Sequence, residues 1–228
     1  MADKKQKEYI VKVLECGYVT HNVRYFIVEK PKGFKFVPGQ ATDLSINKPI
    51  LKNEIRPFTF TTLTDNPFLE FTIKMYEDRE NGVTKHLKDI KEKDEFIIRE
   101  PFGAINYKGK GVFIAGGSGI TPFIAILRDL RKKGKLEGNK LIFSNKTSKD
   151  IILQHELKAM LGDNCIFTLT REKNKNYDNK RIDEDYLKEK IKDFNQHFYV
   201  CGPIRMVGEI QSFLRKLGAD AESIVVET

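Results

Sequence analysis

The chain has 228 residues, 40% of them hydrophobic, enough to bury one large core or two of ordinary size. Its net charge is +8, but 40 Lys and Arg are interleaved with 32 Asp and Glu, which argues for solvated surface and against a nucleic-acid stripe. Cys16, Cys165 and Cys201 are far apart and form no Cys-x-x-Cys pair, so the spacing encodes neither a zinc site nor an iron–sulfur loop.

Residues 1–8 are charged and small and read as a solvated lead-in. No apolar run approaches 20 residues and no signal-peptide pattern is present, so no membrane span is expected and a cytoplasmic location is. From Tyr9 to about Ile105 the pattern is that of strands. Ile10–Leu14, Val23–Val28, Ala41–Ile46, Phe58–Thr61, Leu69–Tyr76 and Glu95–Ile98 are short, rich in β-branched or aromatic residues, and divided by Gly/Pro turns. One helix interrupts them, from about Thr84 to Leu87. Six such strands with one helix predict a closed antiparallel barrel over residues 1–108.

From Lys110 onward strands and helices alternate. Strands are predicted at Val112–Ala115, Lys140–Ser144, Cys165–Thr170, Phe198–Cys201 and Ser223–Glu227. Helices are predicted at Thr121–Lys133, Ile151–Leu161, Glu184–Ile191 and Ile204–Leu217. Repeated strand–helix units predict a parallel α/β domain over residues 109–228, with ligands at the carboxyl ends of its strands. Four polar or glycine-rich turns follow strands at that edge: Gly116–Thr121, Ser144–Lys146, Thr170–Arg171 and Cys201–Pro203. The first, Gly116-Gly117-Ser118-Gly119-Ile120-Thr121-Pro122-Phe123, joins an apolar strand to an amphipathic helix. Glycines at a helix N-terminus let backbone N–H groups approach a phosphate.

Together the two halves resemble the ferredoxin–NADP reductase superfamily from about Tyr9 to the C-terminus. Arg56-Pro57-Phe58-Thr59 is similar to that family's Arg-x-Tyr/Phe-Ser/Thr flavin motif. On a strand, Arg56 and Phe58 point the same way, the guanidinium suited to a phosphate and the ring to a flat heterocycle. The resemblance implies that Thr59 hydrogen-bonds the flavin N5 region. It also implies that Ile73 and Lys74 present main chain to the flavin rim, and that Gly82, Val83 and Thr84 lie beneath the pyrophosphate. Pro38-Gly39-Gln40 matches a barrel turn of the family, and Glu100-Pro101-Phe102-Gly103 matches another with Glu100 in place of glycine.

In the second half, Gly116–Phe123 resembles the family's dinucleotide signature, which implies a pyrophosphate cradle at Gly116, Gly117, Gly119 and Pro122, with Thr121 near the nicotinamide side. Val200-Cys201-Gly202-Pro203 with Met206 resembles the second signature, in which the Cys lies near the hydride path. An acidic residue at the end of the second strand would bind ribose hydroxyls and repel a 2′-phosphate. Ser144, Asn145 and Lys146 stand there instead, with Arg171 after the next strand, so NADPH is expected over NADH. Glu227 matches the acidic residue of the family's last strand and is expected to relay protons. No terminal aromatic follows it.

The resemblance implies a flavin-dependent NAD(P)H oxidoreductase, with FAD expected over FMN. Thr59, Cys201 and Glu227 are its candidate catalytic residues. Electrons would pass to a separate acidic carrier, flavodoxin or ferredoxin, or to an oxygenase component. A reductase of free flavin or ferric chelates, and a redox-inert dinucleotide-binding module, are the alternatives that stay open.

Overall fold

The computed structural model describes residues 7–76, 83–103 and 105–227. Gly82, one of the expected flavin-phosphate residues, lies outside them. The chain forms two compact units, Met1–Gly103 and Ala104–Thr228.

The first unit contains six antiparallel strands: β1 (Tyr9–Thr20), β2 (Val23–Glu29), β3 (Ala41–Ile46), β4 (Arg56–Thr59), β5 (Phe68–Lys74) and β6 (Glu95–Ile98). Their order is β4-β3-β6-β1-β2-β5. A bridge between Phe60 and Phe71, and the Thr61 N–H donating to the Glu70 carbonyl at 2.8 Å, join the two edges. Joining them there draws the sheet into a barrel.

β1 is longer than the predicted Ile10–Leu14 because it serves two neighbours. Tyr9–Lys12 pair with β6, while Val13–Thr20 pair with β2 through register shifts at Val13/Glu15 and Tyr18/Thr20. Such irregularities bend a strand, which a barrel wall requires. Val11 and Val13 point into the core and are 1% exposed, whereas Ile10 and Leu14 alternate outward. Phe26, Phe60, Phe71 and Phe96 fill the interior.

Helix α1 (Val83–His86) continues into a 3₁₀ turn at Leu87–Asp89, and both Val83 and Leu87 are sealed in the barrel core. So short a helix has little stability of its own. Arg24 on β2 holds its end: the buried guanidinium donates to the carbonyls of Leu87, Lys88 and Ile90. A cation there also complements the negative end of the helix dipole.

The second unit alternates β7 (Gly111–Gly116), α2 (Thr121–Lys132), β8 (Lys140–Asn145), α3 (Gln154–Leu161), β9 (Cys165–Leu169), α4 (Glu184–Lys190), β10 (His197–Cys201), α5 (Ile204–Lys216) and β11 (Ile224–Glu227). All strand pairs are parallel, in the order β11-β10-β7-β8-β9. β8 and β9 are added on one side of β7 and β10 and β11 on the other, which makes the β7–β10 pair the switch point of the sheet. Every residue of β7 is buried, as expected of a central strand covered on both faces.

Helix α3 starts three residues later than the predicted Ile151. Thr147 and Asp150 form a capping box around a 3₁₀ turn, and Leu153 adopts φ +51°, so the helix can begin only at Gln154. The division between the units likewise falls before the predicted residue 108. Tyr107 stacks on Phe113 and Tyr199, and the Tyr199 hydroxyl accepts from the N–H groups of Lys108 and Gly109 at 2.9 and 3.0 Å. These contacts tie the connecting segment to the second unit.

Candidate functional site

In the first unit, β4 presents the expected flavin motif. It pairs with β3 so that Arg56 opposes Leu44, Phe58 opposes Thr42 and Thr59 opposes Ala41. The Arg56 guanidinium is about half exposed, donating to the Ile55 carbonyl at 2.6 Å and lying 3.7 Å from Glu54. An exposed ion pair of that kind is weak, so the guanidinium can exchange it for a phosphate. Phe58 is half-buried against the barrel core, and Thr59 is half-buried beside it. Ile73 lies in the core and Lys74 follows it at the end of β5, where these two residues pair with Arg24 and Val23. Val83 and Thr84 open α1, with Val83 fully buried.

In the second unit, two glycine-containing turns meet at the switch point. Gly119 lies against the main chain of Cys201 and Gly202, so close that a Cβ there would fall inside 3.0 Å of both. Gly116 similarly abuts Pro203 and the Met206 thioether. The dinucleotide signature and the Cys-Gly-Pro signature are therefore one packed structure. Gly117 has φ +54° and open space on the side a Cβ would occupy. Thr121 donates to the Ser118 carbonyl at 3.0 Å, which shapes the turn, and no side chain caps the N-terminus of α2. The Thr121 N–H is taken by the Ser118 carbonyl and Pro122 has none, so N–H groups offered to an anion come from the 3₁₀ turn Gly117–Ile120 that runs into α2.

At the ends of β8 and β9 the loops are tied together. Thr170 donates through its N–H to the Asn145 carbonyl at 2.9 Å, and the Arg171 N–H donates to the Lys146 carbonyl at 2.9 Å. Lys146 and Arg171 therefore sit side by side with their side chains exposed, next to half-buried Ser144. Glu172 locks the pair: its carboxylate accepts from the Ser148 N–H at 2.8 Å and from the Asn174 amide at 3.0 Å. The same bonds hold its carboxyl below the usual range, the Ser148 N–H contributing most.

Cys201 and Glu227 are register partners at the ends of β10 and β11. Burial, reinforced by the Glu227 charge, pushes the Cys201 thiol up to about 12, so it stays protonated and is no nucleophile. Burial also raises Cys165 to about 12. Both thiols ionise less readily folded than unfolded, where 9.0 is ordinary, so their contribution to stability is intact below pH 9 and lost as pH rises toward 12. The melting temperature should fall across that interval, and less so in the Cys165→Ala/Cys201→Ala variant. Equal slopes would refute the assignment.

A model of the FAD-binding domain matches residues 8–140, and a model of the oxidoreductase NAD-binding domain matches residues 113–212. The chain belongs to the ferredoxin–NADP reductase superfamily. Within that family, NADH-cytochrome b5 reductase 2 of Mycosarcoma maydis is 27% identical over 244 residues, covering 90% of this chain and 68% of its own length. NADH-cytochrome b5 reductase 1 of Arabidopsis thaliana is 31% identical over 162 residues, covering 65% of this chain and 56% of its own length. A ferredoxin NADP+ reductase from Neisseria gonorrhoeae, solved with bound FAD and NADP, superposes with a TM-score of 0.84 at 20% identity, over 98% of this chain and 99% of that one. The cytochrome b5 reductase domain of Ulva prolifera nitrate reductase gives 0.82 at 20% identity, over 97% of each chain. At such identities the structural likeness is one of fold.

The residues present fit the groups that the two family models name. A strand-borne cation, ring and hydroxyl in the barrel suit a flavin phosphate and ring, and the glycine cradle at an uncapped helix start suits a pyrophosphate. Among the described residues no cluster of His, Cys, Asp or Glu could hold a metal ion, and no helix is long and apolar enough to cross a membrane. Two contributors were not predicted from the sequence. Arg24 reads there as one of forty cations, and Glu172 as one of thirty-two acids. A lone Arg between Val23 and Tyr25 in an apolar strand was the only available hint for the first.

Proposed function

We propose that this chain is an FAD-dependent NAD(P)H reductase that prefers NADPH and hands electrons singly to a separate carrier protein. The observation that carries the reading is the packed junction of Gly116 and Gly119 with Cys201–Met206, in a chain that also bears Arg56, Phe58 and Thr59 on a barrel strand. FAD, when bound, supplies the two-electron to one-electron conversion. Arg56, with the backbone at Val83 and Thr84, would hold its phosphates. Phe58 would pack against the ring, Ile73 and Lys74 would line the rim, and Thr59 would hydrogen-bond N5.

The turn Gly116–Pro122 would hold the dinucleotide pyrophosphate. Ser144, Lys146 and Arg171 would receive the 2′-phosphate, two adjacent cations and a hydroxyl being suited to it. Cys201, protonated and small, would leave room for the nicotinamide beside Gly202, Pro203 and Met206, while Glu227 would hold or release a proton near it. The net charge of +8 would steer an acidic carrier such as flavodoxin or ferredoxin, or an oxygenase component.

Purified protein should be yellow, and NADPH added without oxygen should bleach it faster than NADH does. A colourless protein that takes up no FAD would end this reading. Reduction of a carrier panel that includes ferredoxin, flavodoxin and cytochrome b5 would identify the acceptor class.

A further inference from the structure

Asn145, the last residue of β8, is 4% exposed, and neither its amide nitrogen nor its amide oxygen has a hydrogen-bond partner among the described residues. Burying both ends of a carboxamide unpaired is costly, and native proteins avoid it unless something else satisfies the group.

The main chain around this residue is held by hydrogen bonds of its own. The Asn145 carbonyl accepts from both the N–H and the hydroxyl of Thr170, at 2.9 and 3.2 Å. The next carbonyl, of Lys146, accepts from the Arg171 N–H, and the Thr147 N–H donates to Asp150 at 3.0 Å.

Strand alternation tells which way the amide faces. Val112, Ile114 and Ile142 pack with α4 and α5 in one cluster. Phe113, Leu141, Phe143 and Asn145 therefore belong to the opposite face, where Phe113 meets Phe123 of α2 with ring centroids 5.1 Å apart. In the parallel register Gly116 is beside Ser144, the last such pair, and Asn145 follows at the end of β8, where β7 has left the sheet and the glycine turn begins. The unpaired amide thus lies at the base of the turn that precedes α2, between it and the Thr170 turn.

We infer that Asn145 is a positioning residue for the dinucleotide: its amide is satisfied only when the Gly117–Gly119 turn closes on the pyrophosphate. Stability of the unliganded protein is lowered in exchange for affinity. The amide reads no phosphate directly, in contrast to its expected place in a Ser144-Asn145-Lys146 phosphate clamp. The inference rests on the reading of this turn as a dinucleotide site.

The test uses the flavin-loaded protein and whichever of NADP+ and NAD+ binds it more tightly. Asn145→Leu keeps the branching of the side chain and removes both polar atoms. Without dinucleotide, this variant should melt at or above the wild-type temperature, because two unpaired buried groups are gone. Its dissociation constant for the dinucleotide should rise about tenfold, the size expected of one buried hydrogen-bonding group. A merely structural asparagine would not move these two readouts in opposite senses.

Asn145→Ala serves if leucine does not pack, with the same rise in dissociation constant expected. In the wild type, dinucleotide should slow hydrogen exchange at the Gly117, Ser118 and Gly119 amides. Affinity within twofold of wild type in the variants overturns the inference and leaves the dinucleotide site standing, whereas unchanged exchange at that turn overturns both the inference and the placing of the pyrophosphate there. A wild type that binds neither dinucleotide overturns both.

Discussion

Replacing Gly119 by alanine is expected to weaken dinucleotide binding roughly ten- to a hundredfold while leaving flavin binding in place. The new Cβ would fall inside 3.0 Å of the Cys201 carbonyl and the Gly202 nitrogen. Those are backbone atoms at the end of β10, a central strand paired to β7 on one side and β11 on the other, so neither can yield as a flexible side chain would. Overpacking of this kind costs about 1–3 kcal/mol, equivalent to roughly ten- to a hundredfold in binding if the turn opens to relieve it. The measurements are a thermal melt and a titration of the oxidised holoprotein with NADP+. Gly119→Ala with unchanged affinity would mean that the two signatures need not touch to form the site. Gly134, a positive-φ glycine with open space around it, provides a control (Gly134→Asn) in which binding should not change.

The second large effect concerns Arg56. Arg56→Ala removes a half-exposed guanidinium whose present partners are a neighbouring carbonyl and a loosely held carboxylate. Little folding stability should be lost, since such surface contacts are weak. A charge-assisted hydrogen bond to phosphate is worth about 1.5–3 kcal/mol, so FAD affinity should fall by roughly ten- to a hundredfold. Riboflavin, which has the ring and no phosphate, separates the possible causes. Its affinity should be the same for wild type and variant, and an equal loss for riboflavin would show that Arg56 supports the strand and not the phosphate. Arg56→Lys should recover only part of the affinity, because an ammonium lacks the planar fork.

Much of the architecture was legible in the residue order. β7 reads as a buried parallel strand because Gly111–Gly116 is an unbroken small and apolar run, and α2 reads as a helix because Phe123, Ile124, Leu127 and Leu130 recur at helical spacing. Less legible were the places where one segment answers to two partners. β1 passes from β6 to β2 along its length, and nothing within Glu15-Cys16-Gly17 announces that the strand continues. The start of α3 shifts because Thr147 and Asp150 bond to each other first. The connecting segment joins the second unit because Tyr199, about ninety residues later, holds its N–H groups.

The candidate site divides in the same way. Residue types and short spacings determined the family, the alternation of a strand-rich half with a strand–helix half, and which turns carry glycine, hydroxyl or cation, because these are properties of neighbouring residues. Only the tertiary structure decided that Gly119 touches Cys201, that Cys201 stays protonated, that Arg24 ends the short helix, and that Asn145 is buried unpaired. Each of those depends on atoms brought together from distant parts of the chain, and on the water excluded when they meet.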